Sequence, residues 1–544
     1  MAMGKTDGPA RMNRREVVVG AGGAMAAALV AGVIGSPARA ASALSYGPAQ
    51  AFSFEALKRQ ARDLAAKPYA PPPRPMPEVV QQIDYAAHGM LRYKPDYALF
   101  ADGPGQFPVT FFHLGQYFQK SIRMHVVADG QAREIVYKPD YFEMPADSVA
   151  RKLPETAGFA GFRFQESRNG HPDRLGKEKL DWKKNDWVAF LGASYLRAIG
   201  GDYQYGISAR GVAIDPAVAG VIEDFPDFTH FYIETPTDGS NEVIVNALLD
   251  GESITGAFRF VMRRDRAVTM DIQSELHLRR DVSRLCIAPL TSMYWYSEKF
   301  KQSGVDWRPE VHDSDGLSLW TGGGERIWRP LNNPPQTVTS AFGDDNPRGF
   351  GLMQRDRNFD HYQDGVAYER RPSLWVEPVG GWGRGSVQLI EIPTDDEIHD
   401  NIVAAWVPAE AAKAGQSYAF NYRLFWQADE PNPPPLARTT ALRIGRGGEP
   451  GKPRPDGVRK FIVEFGGGDL DKLPTGTLPE AVLTVSRGET SQILTEAIPN
   501  DIPGHWRAQF DLTVADKTPV EIRLYLRLGD KALSETLLYQ FHPF

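Results

Sequence analysis

The stretch from Val243 to Leu278 reads VIVNALLDGESITGAFRFVMRRDRAVTMDIQSELHL. Apolar and polar residues alternate along Val243–Leu248, Ser253–Met262 and Ala267–Leu278, and this period of two is typical of half-buried strands. The dipeptides Asp250-Gly251 and Arg264-Asp265 separate the three runs and favour tight turns. The stretch therefore predicts consecutive antiparallel strands.

The same alternation of strand and turn extends over most of the chain, from about residue 79 to residue 425, where helical periodicity is scarce. Many aromatic residues together with 52 glycines and 42 prolines favour an all-β architecture. We therefore predict two large packed antiparallel sheets. The exception is a short helix from Ser53 to Leu64, with Ser53 as its N-cap.

A change of composition marks a second domain, as expected for 544 residues. The Pro-rich segment Ala428–Pro435 and a Gly-, Arg- and Pro-rich stretch after it predict an unstructured linker or lid at 429–455. The large β-sandwich would then occupy 50–428, and an immunoglobulin-like β-sandwich 456–544. Its predicted strands are Lys460–Phe465, Ala481–Ser486, Ser491–Thr495, His505–Leu512, Val520–Leu528 and Ala532–Phe541, the last of which is either one strand or two.

The N-terminus has the pattern of an export signal. Asn13-Arg14-Arg15-Glu16 precedes a Gly- and Ala-rich apolar run, which ends in the cleavage motif Ser36–Ala40. Paired arginines before a weakly hydrophobic run indicate the twin-arginine route, with residues 1–40 removed and the folded protein delivered to the periplasm. The alternative is a retained membrane anchor, which the Gly and Ala content disfavours.

Several chemistries are disfavoured by composition and by missing motifs. The net charge of −7 argues against nucleic acid as a partner. The sequence has no P-loop, GxGxxG, HExxH, GxSxG or CxxC motif, so we expect no nucleotide, zinc or serine-hydrolase chemistry and no cofactor or metal. Cys286 is the only cysteine and lies between Leu285 and Ile287, which predicts a core residue and excludes an intramolecular disulfide.

An acidic stretch, EIPTDDEIHDNIVAAW at Glu391–Trp406, lies between the predicted strands Ser386–Ile392 and Ile402–Val407. Its first ten residues contain no Lys or Arg, and its acids are Glu391, Asp395, Asp396, Glu397 and Asp400. Crowded carboxylates repel, so one is expected to keep its proton near neutral pH and to serve as a general acid. The alternatives are a solvated turn or a calcium loop.

A second acidic cluster, RPEVHDSDG at Arg308–Gly316, lies near many aromatic residues. Asp313 could bond its own backbone in a turn or could be catalytic. Tyr294 and Tyr296 share one face of a predicted strand while Trp295 takes the other, so one set is expected in the core and the other in a cleft. Aromatic rings with carboxylates and arginines are the materials of a sugar site.

Several longer motifs carry a resemblance to a known family. They are Gly192–Arg197, Tyr203–Gly211, Leu290–Met293, Arg329–Pro334, Asn346–Leu352 and Trp382–Val387. Together they resemble the periplasmic glucan biosynthesis proteins G and D of Gram-negative bacteria over about residues 52–544. The twin-arginine leader favours the D type.

The resemblance implies a large N-terminal sandwich of the mutarotase-like carbohydrate-binding type joined to an immunoglobulin-like domain. It also implies a role in making osmoregulated periplasmic glucans, whose backbone is β-1,2-linked glucose, and contact with other periplasmic glucan synthesis proteins. The mature form is expected to have no membrane span. Members of the family are grouped as inverting glycoside hydrolases, some of which transfer or cyclise the glucan instead.

The resemblance also implies roles for individual residues. The family's Glu-x-x-Asp-Asn element matches Glu397–Asn401, which makes Asp400 the general acid, and Asp313 matches the base side. Tyr368 and Glu397 would line the proton path, while Ile398 and His399 depart from the small polar residues expected between Glu397 and Asp400. The predicted substrate contacts are Trp295, Tyr294, Trp320, Arg329 and Trp382.

Two other functions stay open at this point. One is a non-catalytic glucan-binding assembly factor, which would share the aromatic cleft but would not need both Asp313 and Asp400 as acids. The other is a sugar epimerase, which the mutarotase-like fold alone suggests and which fold alone does not establish.

Overall fold

The structure is a computed structural model. It describes residues 44–237, 239–304, 306–474, 476–498, 502 and 504–544. The predicted signal peptide, residues 1–40, lies outside the described residues. In the described part of the chain, no helix has both the length and the apolar character needed to cross a membrane.

The chain is built mainly of strands. Its first strands are β1 (Tyr46–Ala51), β2 (Arg92–Tyr93), β3 (Val109–Phe112), β4 (Arg123–Ala128), β5 (Gln131–Ile135), β6 (Phe142–Glu143), β7 (Gly161–Gln165), β8 (Asp186–Leu191), β9 (Tyr195–Ala198), β10 (Ser208–Arg210), β11 (Val212–Ile214), β12 (Asp227–Glu234), β13 (Glu242–Asp250), β14 (Ile254–Arg264), β15 (Val268–Leu278), β16 (Leu285–Ser292) and β17 (Tyr294–Tyr296). The strands that follow are β18 (Val311–His312), β19 (Gly316–Trp320), β20 (Arg326–Pro330), β21 (Val338–Asp345), β22 (Gly349–Met353), β23 (Ser373–Val379), β24 (Arg384–Glu391), β25 (Ile402–Pro408), β26 (Ser417–Gln427), β27 (Arg438–Arg446), β28 (Val458–Gly466), β29 (Glu480–Val485), β30 (Glu489–Ala497), β31 (Trp506–Thr513), β32 (Val520–Leu528), β33 (Lys531–Ala532) and β34 (Thr536–Phe541).

Helices are few and short. The α-helices are α1 (Phe54–Ala65), α2 (Pro77–Val80), α3 (Tyr85–Gly89) and α4 (Phe359–Tyr362). The 3-10 helices span Pro95–Tyr97, Pro139–Tyr141, Val149–Lys152, Glu298–Ser303, Tyr368–Arg370 and Gly468–Lys472. The predicted all-β fold is confirmed.

Two large sheets organise the described residues. The larger has sixteen strands in the order β1-β5-β4-β12-β13-β14-β15-β26-β23-β22-β19-β20-β34-β32-β29, with β33 beside β32. The smaller has ten, in the order β21-β24-β25-β16-β10-β9-β8-β7-β3, with β11 beside β16. The alternating series found in the sequence forms β13, β14 and β15, which pair antiparallel without a break in register.

Aromatic side chains fill the space between the two sheets. Phe162 and Phe190 of the smaller sheet meet Phe231 and Phe260 of the larger, with ring centroids 4.9 Å apart for Phe162–Phe231 and 5.2 Å for Phe190–Phe260. These rings belong to one continuous apolar cluster. Burial on this scale holds the two sheets face to face.

Helix α1 covers the outer face of the larger sheet. Ser53 caps it as predicted, accepting a hydrogen bond from the Ala56 N–H at 3.2 Å. Leu57 and Ala61 are its buried residues, and the Thr255 hydroxyl of β14 donates to the Ala61 carbonyl at 2.7 Å. Cys286, in β16, is fully buried as predicted, and burial raises the pKa of its thiol to about 12.

The C-terminal strands form a sandwich that merges with the larger sheet. Strands β27, β28, β31 and β30 make a separate four-stranded sheet, while β34, β32 and β29 extend the sixteen-stranded one. The join is a parallel pairing of β20 with β34, in which Trp328 lies opposite Leu537. Trp328 also packs in the same apolar cluster as Phe461 and Phe510. The predicted domains therefore share both a sheet and a core, and boundaries at 428 and 456 stay a prediction.

The prediction of an unstructured linker at 429–455 is partly wrong. Arg438–Arg446, inside 429–455, is strand β27 and pairs antiparallel with β28. Glu430 is buried and forms an ion pair with Arg326 of β20. The Pro-rich composition predicts irregular structure, and the chain before this strand has it. From Arg438 onward, pairing with β28 outweighs the local composition and a strand forms. Its role as a lid stays a prediction.

Replacing Phe461 by Ala should destabilise the protein by about 3–5 kcal/mol, because it leaves a cavity in a core that both domains share. Phe461 is fully buried, stacked on Phe510 at 4.9 Å and edge-on to Phe541 at 5.1 Å. Urea unfolding measures the change. Leu478→Ala is the control, since Leu478 is 67% exposed and its loss should cost less than about 0.5 kcal/mol. Equal effects of the two substitutions would contradict the shared core.

Candidate active site

The acidic stretch connects β24 to β25 at one end of the smaller sheet, as its flanking strands predicted. Glu391 pairs with Ile402 at the end of the ladder, and the Ile392 N–H donates to the Asn401 carbonyl at 2.9 Å. We call residues 392–401 the acidic turn. The two strands fix where this turn begins and ends.

Two asparagines hold the acidic turn in place. Asn401, which is buried, accepts from the Tyr294 N–H at 2.8 Å and donates to the carbonyls of Tyr294 and Ile392, each at 2.9 Å. Asn333 accepts from the Thr394 N–H at 3.0 Å and donates to the Thr394 carbonyl at 2.7 Å. Side-chain amides thus take the place of strand partners and fix the backbone of the turn that carries Asp400.

Glu391 differs from the other acids of the acidic stretch, because it ends β24. It is fully buried, and its carboxylate accepts from Arg329 Nη2 at 3.1 Å and from the Asn332 N–H at 2.6 Å. Burial raises the pKa of Glu391, while Arg329 opposes that shift. Arg329 itself is 1% exposed. The pair anchors the end of β24 to β20.

Arg308 joins three separate segments through its guanidinium. It donates to Asp306 at 2.9 Å, to Asp364 Oδ2 at 2.6 Å and to Glu397 Oε2 at 2.8 Å. Its side chain is 8% exposed. The hydrogen bond with Asp306, followed by those with Glu397 and Asp364, raises the pKa of Arg308, and the same contact lowers the pKa of Asp306 to about 2. The acidic turn is therefore tied to the loop before β18.

A chain of contacts connects Glu397 to Asp313. The Tyr368 hydroxyl donates to Glu397 Oε2, and the Arg371 guanidinium lies over the Tyr368 ring at 4.3 Å. Arg371 in turn donates from Nη1 to Asp313 Oδ1. Tyr368 and Asp313 are buried, 1% and 3% exposed, whereas Glu397 and Arg371 are half-buried. Three of the four predicted catalytic residues thus belong to one network.

Asp400, the fourth, lies on the same turn with an arginine beside it. Its Oδ2 is 3.5 Å from Nη2 of Arg197, which comes from β9 and also donates through Nε to the Ser208 hydroxyl of β10. Asp400 is half-buried, Ile398 is half-buried and His399 is exposed. The side chain of Asp400 is 9% exposed, so only a small part of it meets solvent.

The arginines correct the electrostatics inferred from the sequence. Like-charge repulsion within the acidic stretch is offset by Arg308 at Glu397, Arg197 at Asp400 and Arg329 at Glu391. None of these arginines lies in the acidic stretch itself. The crowding of carboxylates that the sequence shows is therefore offset by arginines from other parts of the chain.

Asp313 is placed by strand geometry. Its N–H donates to the Met293 carbonyl at 2.8 Å, and β17 and β18 pair just before it. Asp315, two residues on, accepts through Oδ2 from the N–H groups of Arg355 and Asp356 at 2.9 and 2.8 Å, a contact between distant parts of the chain. The Asp313 carboxylate pairs with Arg371.

The predicted substrate contacts divide by burial. Tyr294, Arg329 and Trp382 are 0%, 1% and 8% exposed. A buried side chain has no surface for a sugar, so the structure argues against these three as direct contacts. Trp295 and Trp320 are half-buried and stay candidates, with Arg326 over the Trp320 ring at 3.8 Å. Of the alternating tyrosines and tryptophan in β17, the tyrosines are the core set.

Sequence reasoning missed the residues that organise the site. Arg308, Arg371, Arg197 and Asp364 were not among the predicted site residues, although Arg308 opens the second acidic cluster. The one signal was an arginine next to clustered acids, which on its own is common at protein surfaces. Trp307, before Arg308, is 69% exposed and so is not a core residue.

Comparisons with known proteins give one consistent result. A family model described as periplasmic glucan biosynthesis protein, MdoG, matches residues 52–541. The chain is 62% identical over 534 residues to the glucans biosynthesis protein D 2 of Ralstonia nicotianae, with 98% of each chain covered. It is 45% identical over 548 residues to the glucans biosynthesis protein D of Xanthomonas oryzae pv. oryzae, and 46% over 542 residues to that of Stenotrophomonas maltophilia, again with 98% coverage of each chain.

Arg308→Met should destabilise the protein by about 1.5–3 kcal/mol, because it removes three charge-assisted hydrogen bonds from partly exposed carboxylates. Denaturant unfolding provides the measurement. The matched control is Arg527→Met, which breaks an exposed ion pair with Glu480 and should cost less than about 1 kcal/mol. If Arg308→Met costs no more than the control, Arg308 does not organise the site.

Proposed function

This chain belongs to the periplasmic glucan biosynthesis family, and from this premise we propose that it cleaves or transfers β-1,2-linked glucan with inversion. It would thereby set the glucose backbone of osmoregulated periplasmic glucans. The family assignment rests on a match to residues 52–541 and on full-length relatives named for glucan biosynthesis. The chemistry rests on the site.

The contact chain from Asp313 through Arg371 and Tyr368 to Glu397 is the single observation that carries this proposal. It joins the predicted base to the turn that bears the predicted acid, Asp400. Inverting hydrolysis of a glycosidic bond requires two carboxyl groups about 6.5–9.5 Å apart, with room for a water between them. Asp313 and Glu397 lie 84 positions apart in the sequence, and they are connected here because Asn401 binds the acidic turn to β17, which pairs with β18.

Asp400 is the proposed general acid. It protonates the departing glycosidic oxygen, directly or through a sugar hydroxyl, and becomes a carboxylate. Arg197, whose Nη2 lies 3.5 Å away, then stabilises the new negative charge. Because Asp400 is half-buried, it can meet both the substrate and a proton source.

Asp313 is the proposed base. Its carboxylate accepts the proton of the attacking water or sugar hydroxyl, directly or through a relay that includes Tyr368. Arg371 keeps the carboxylate in one orientation, and Glu397 does the same for the Tyr368 hydroxyl. Whether water or a sugar hydroxyl attacks decides between hydrolysis and transfer.

A second candidate function is a non-catalytic glucan-binding assembly factor. One observation favours it: Asp313, Glu397 and Asp400 each have an arginine partner, as residues of structural ion-pair networks do. Under this alternative the site would bind glucan through Trp295 and Trp320 and present it to other proteins of the pathway. Loss of the carboxylates would then change glucan binding or protein stability, and there would be no turnover to lose.

Asp400→Asn and Asp313→Asn should each lower the turnover of linear β-1,2-glucan by about 10²–10⁴-fold while glucan binding persists, because each removes one half of the acid–base pair. Product size after incubation measures turnover, and titration calorimetry measures binding. Asp395→Asn is the matched control, since Asp395 is exposed on the same turn and should leave turnover unchanged. Wild-type protein that binds glucan without turning it over would support the assembly factor instead.

The proposal also includes export of the folded protein by the twin-arginine route. Replacing Arg14-Arg15 by Lys-Lys should hold the uncleaved precursor in the cytoplasm, since that route depends on the paired arginines. Cell fractionation and the mass of the product measure this. Periplasmic protein beginning at Ala41 despite the change would contradict the twin-arginine assignment.

A further inference from the structure

Glu310, Asp356 and His361 bring donor atoms within 4.8 Å of one another. They come from two segments of the chain. Glu310 directly precedes β18, Asp356 lies three residues before α4, and His361 is the third residue of α4. We propose that these three residues form a binding site for one divalent transition-metal ion of the Zn²⁺ type. The proposed site is separate from the acid and base, and it does not depend on the proposed function.

The spacing of the donors fits a metal after small side-chain rotations. Donor atoms that each lie about 2.1 Å from a central ion are at most about 4.2 Å apart. Glu310 is 7% exposed, Asp356 is half-buried and His361 is exposed. A small rotation of the exposed His361 can therefore close the site on the buried Glu310, and the exposed side leaves a path for the ion to enter.

Neighbouring groups already orient the carboxylates. Glu310 Oε2 lies 2.9 Å from His312 Nε2, and Gln354 Oε1 lies 2.9 Å from Nδ1 of the same imidazole, which is fully buried. Asp356 Oδ1 accepts from the Asn358 N–H at 3.0 Å. Hydrogen-bonded partners of this kind characterise metal-binding carboxylates and fix their direction.

The donor set selects the class of ion. One imidazole nitrogen with two carboxylates suits zinc and similar transition metals, whereas calcium and magnesium prefer oxygen ligands throughout. Three protein ligands leave a further coordination position for water. In the absence of a metal, His361 Nδ1 lies 2.5 Å from Asp356 Oδ2, so the ion would replace an existing ion pair.

A metal here would stiffen the frame of the candidate base. It would tie α4 to the segment that continues through His312 to Asp313. The His312 ring packs on Tyr362 of α4 at 5.2 Å and on Tyr294 at 5.6 Å, so the linked elements already share a small core. The expected role is structural, since none of the three ligands is among the proposed acid–base residues.

The test is titration of metal-free, EDTA-treated mature protein with ZnCl₂ by calorimetry, with thermal unfolding as a second measurement. Wild type should bind one Zn²⁺ per chain and melt at a higher temperature with it. His361→Ala and Asp356→Asn should each weaken this binding by at least about 100-fold, because each removes a ligand. Asp360→Asn, an exposed neighbour outside the cluster, and His171→Ala should bind Zn²⁺ like wild type.

Every outcome of this experiment bears on the proposal. Stoichiometric binding that His361→Ala and Asp356→Asn lose, and that the two controls keep, supports it. No stoichiometric binding to wild type, or equal binding by His361→Ala, overturns it. Tighter binding of CaCl₂ than of ZnCl₂ overturns the transition-metal assignment. The melting temperatures without metal show whether each variant is folded. Both variants should fold, because Asp356 is half-buried and His361 is exposed.

Discussion

The arrangement of the candidate site depends on one buried guanidinium. Arg308 contacts Asp306, Asp364 and Glu397, which come from the loop before β18, the segment after α4 and the acidic turn. The buried charge of Arg308 is favourable only when it is paired, so its three contacts favour this arrangement of the segments. Backbone pairing of β24 with β25 forms the acidic turn, and Arg308 fixes this turn to the loop before β18.

The rest of the site extends from this arrangement. Arg308 holds Glu397 where it accepts a hydrogen bond from the Tyr368 hydroxyl. The Tyr368 ring in turn packs against the Arg371 guanidinium, which pairs with Asp313. On the other side, Asn401 pins the end of the turn to β17, and Arg197 meets Asp400. Both proposed catalytic carboxyls therefore lie on segments that hydrogen bonds hold to strands, and such support is what preorganised chemistry requires.

Local features of the fold could be predicted, whereas long-range ones could not. The period-two runs identify β13–β15, and Ser53 identifies the start of α1, because these signals reside in neighbouring residues. The parallel join of β20 to β34 and strand β27 depend on partners far along the chain, which composition does not encode. In the site, the acids were found, but their partners Arg308 and Arg197 lie 89 and 203 residues away. Arg329 seemed a sugar contact because its pairing with buried Glu391 is invisible in the sequence.

The most direct measurement is the anomeric form of the first product from linear β-1,2-glucan, followed by proton NMR from the start of the reaction. Two carboxyls that flank the bond with a water between them invert the configuration, so the new reducing end should appear first as the α anomer. An initial β anomer would mean that a carboxyl attacks the sugar itself, and it would contradict the assignment of Asp400 and Asp313 as acid and base.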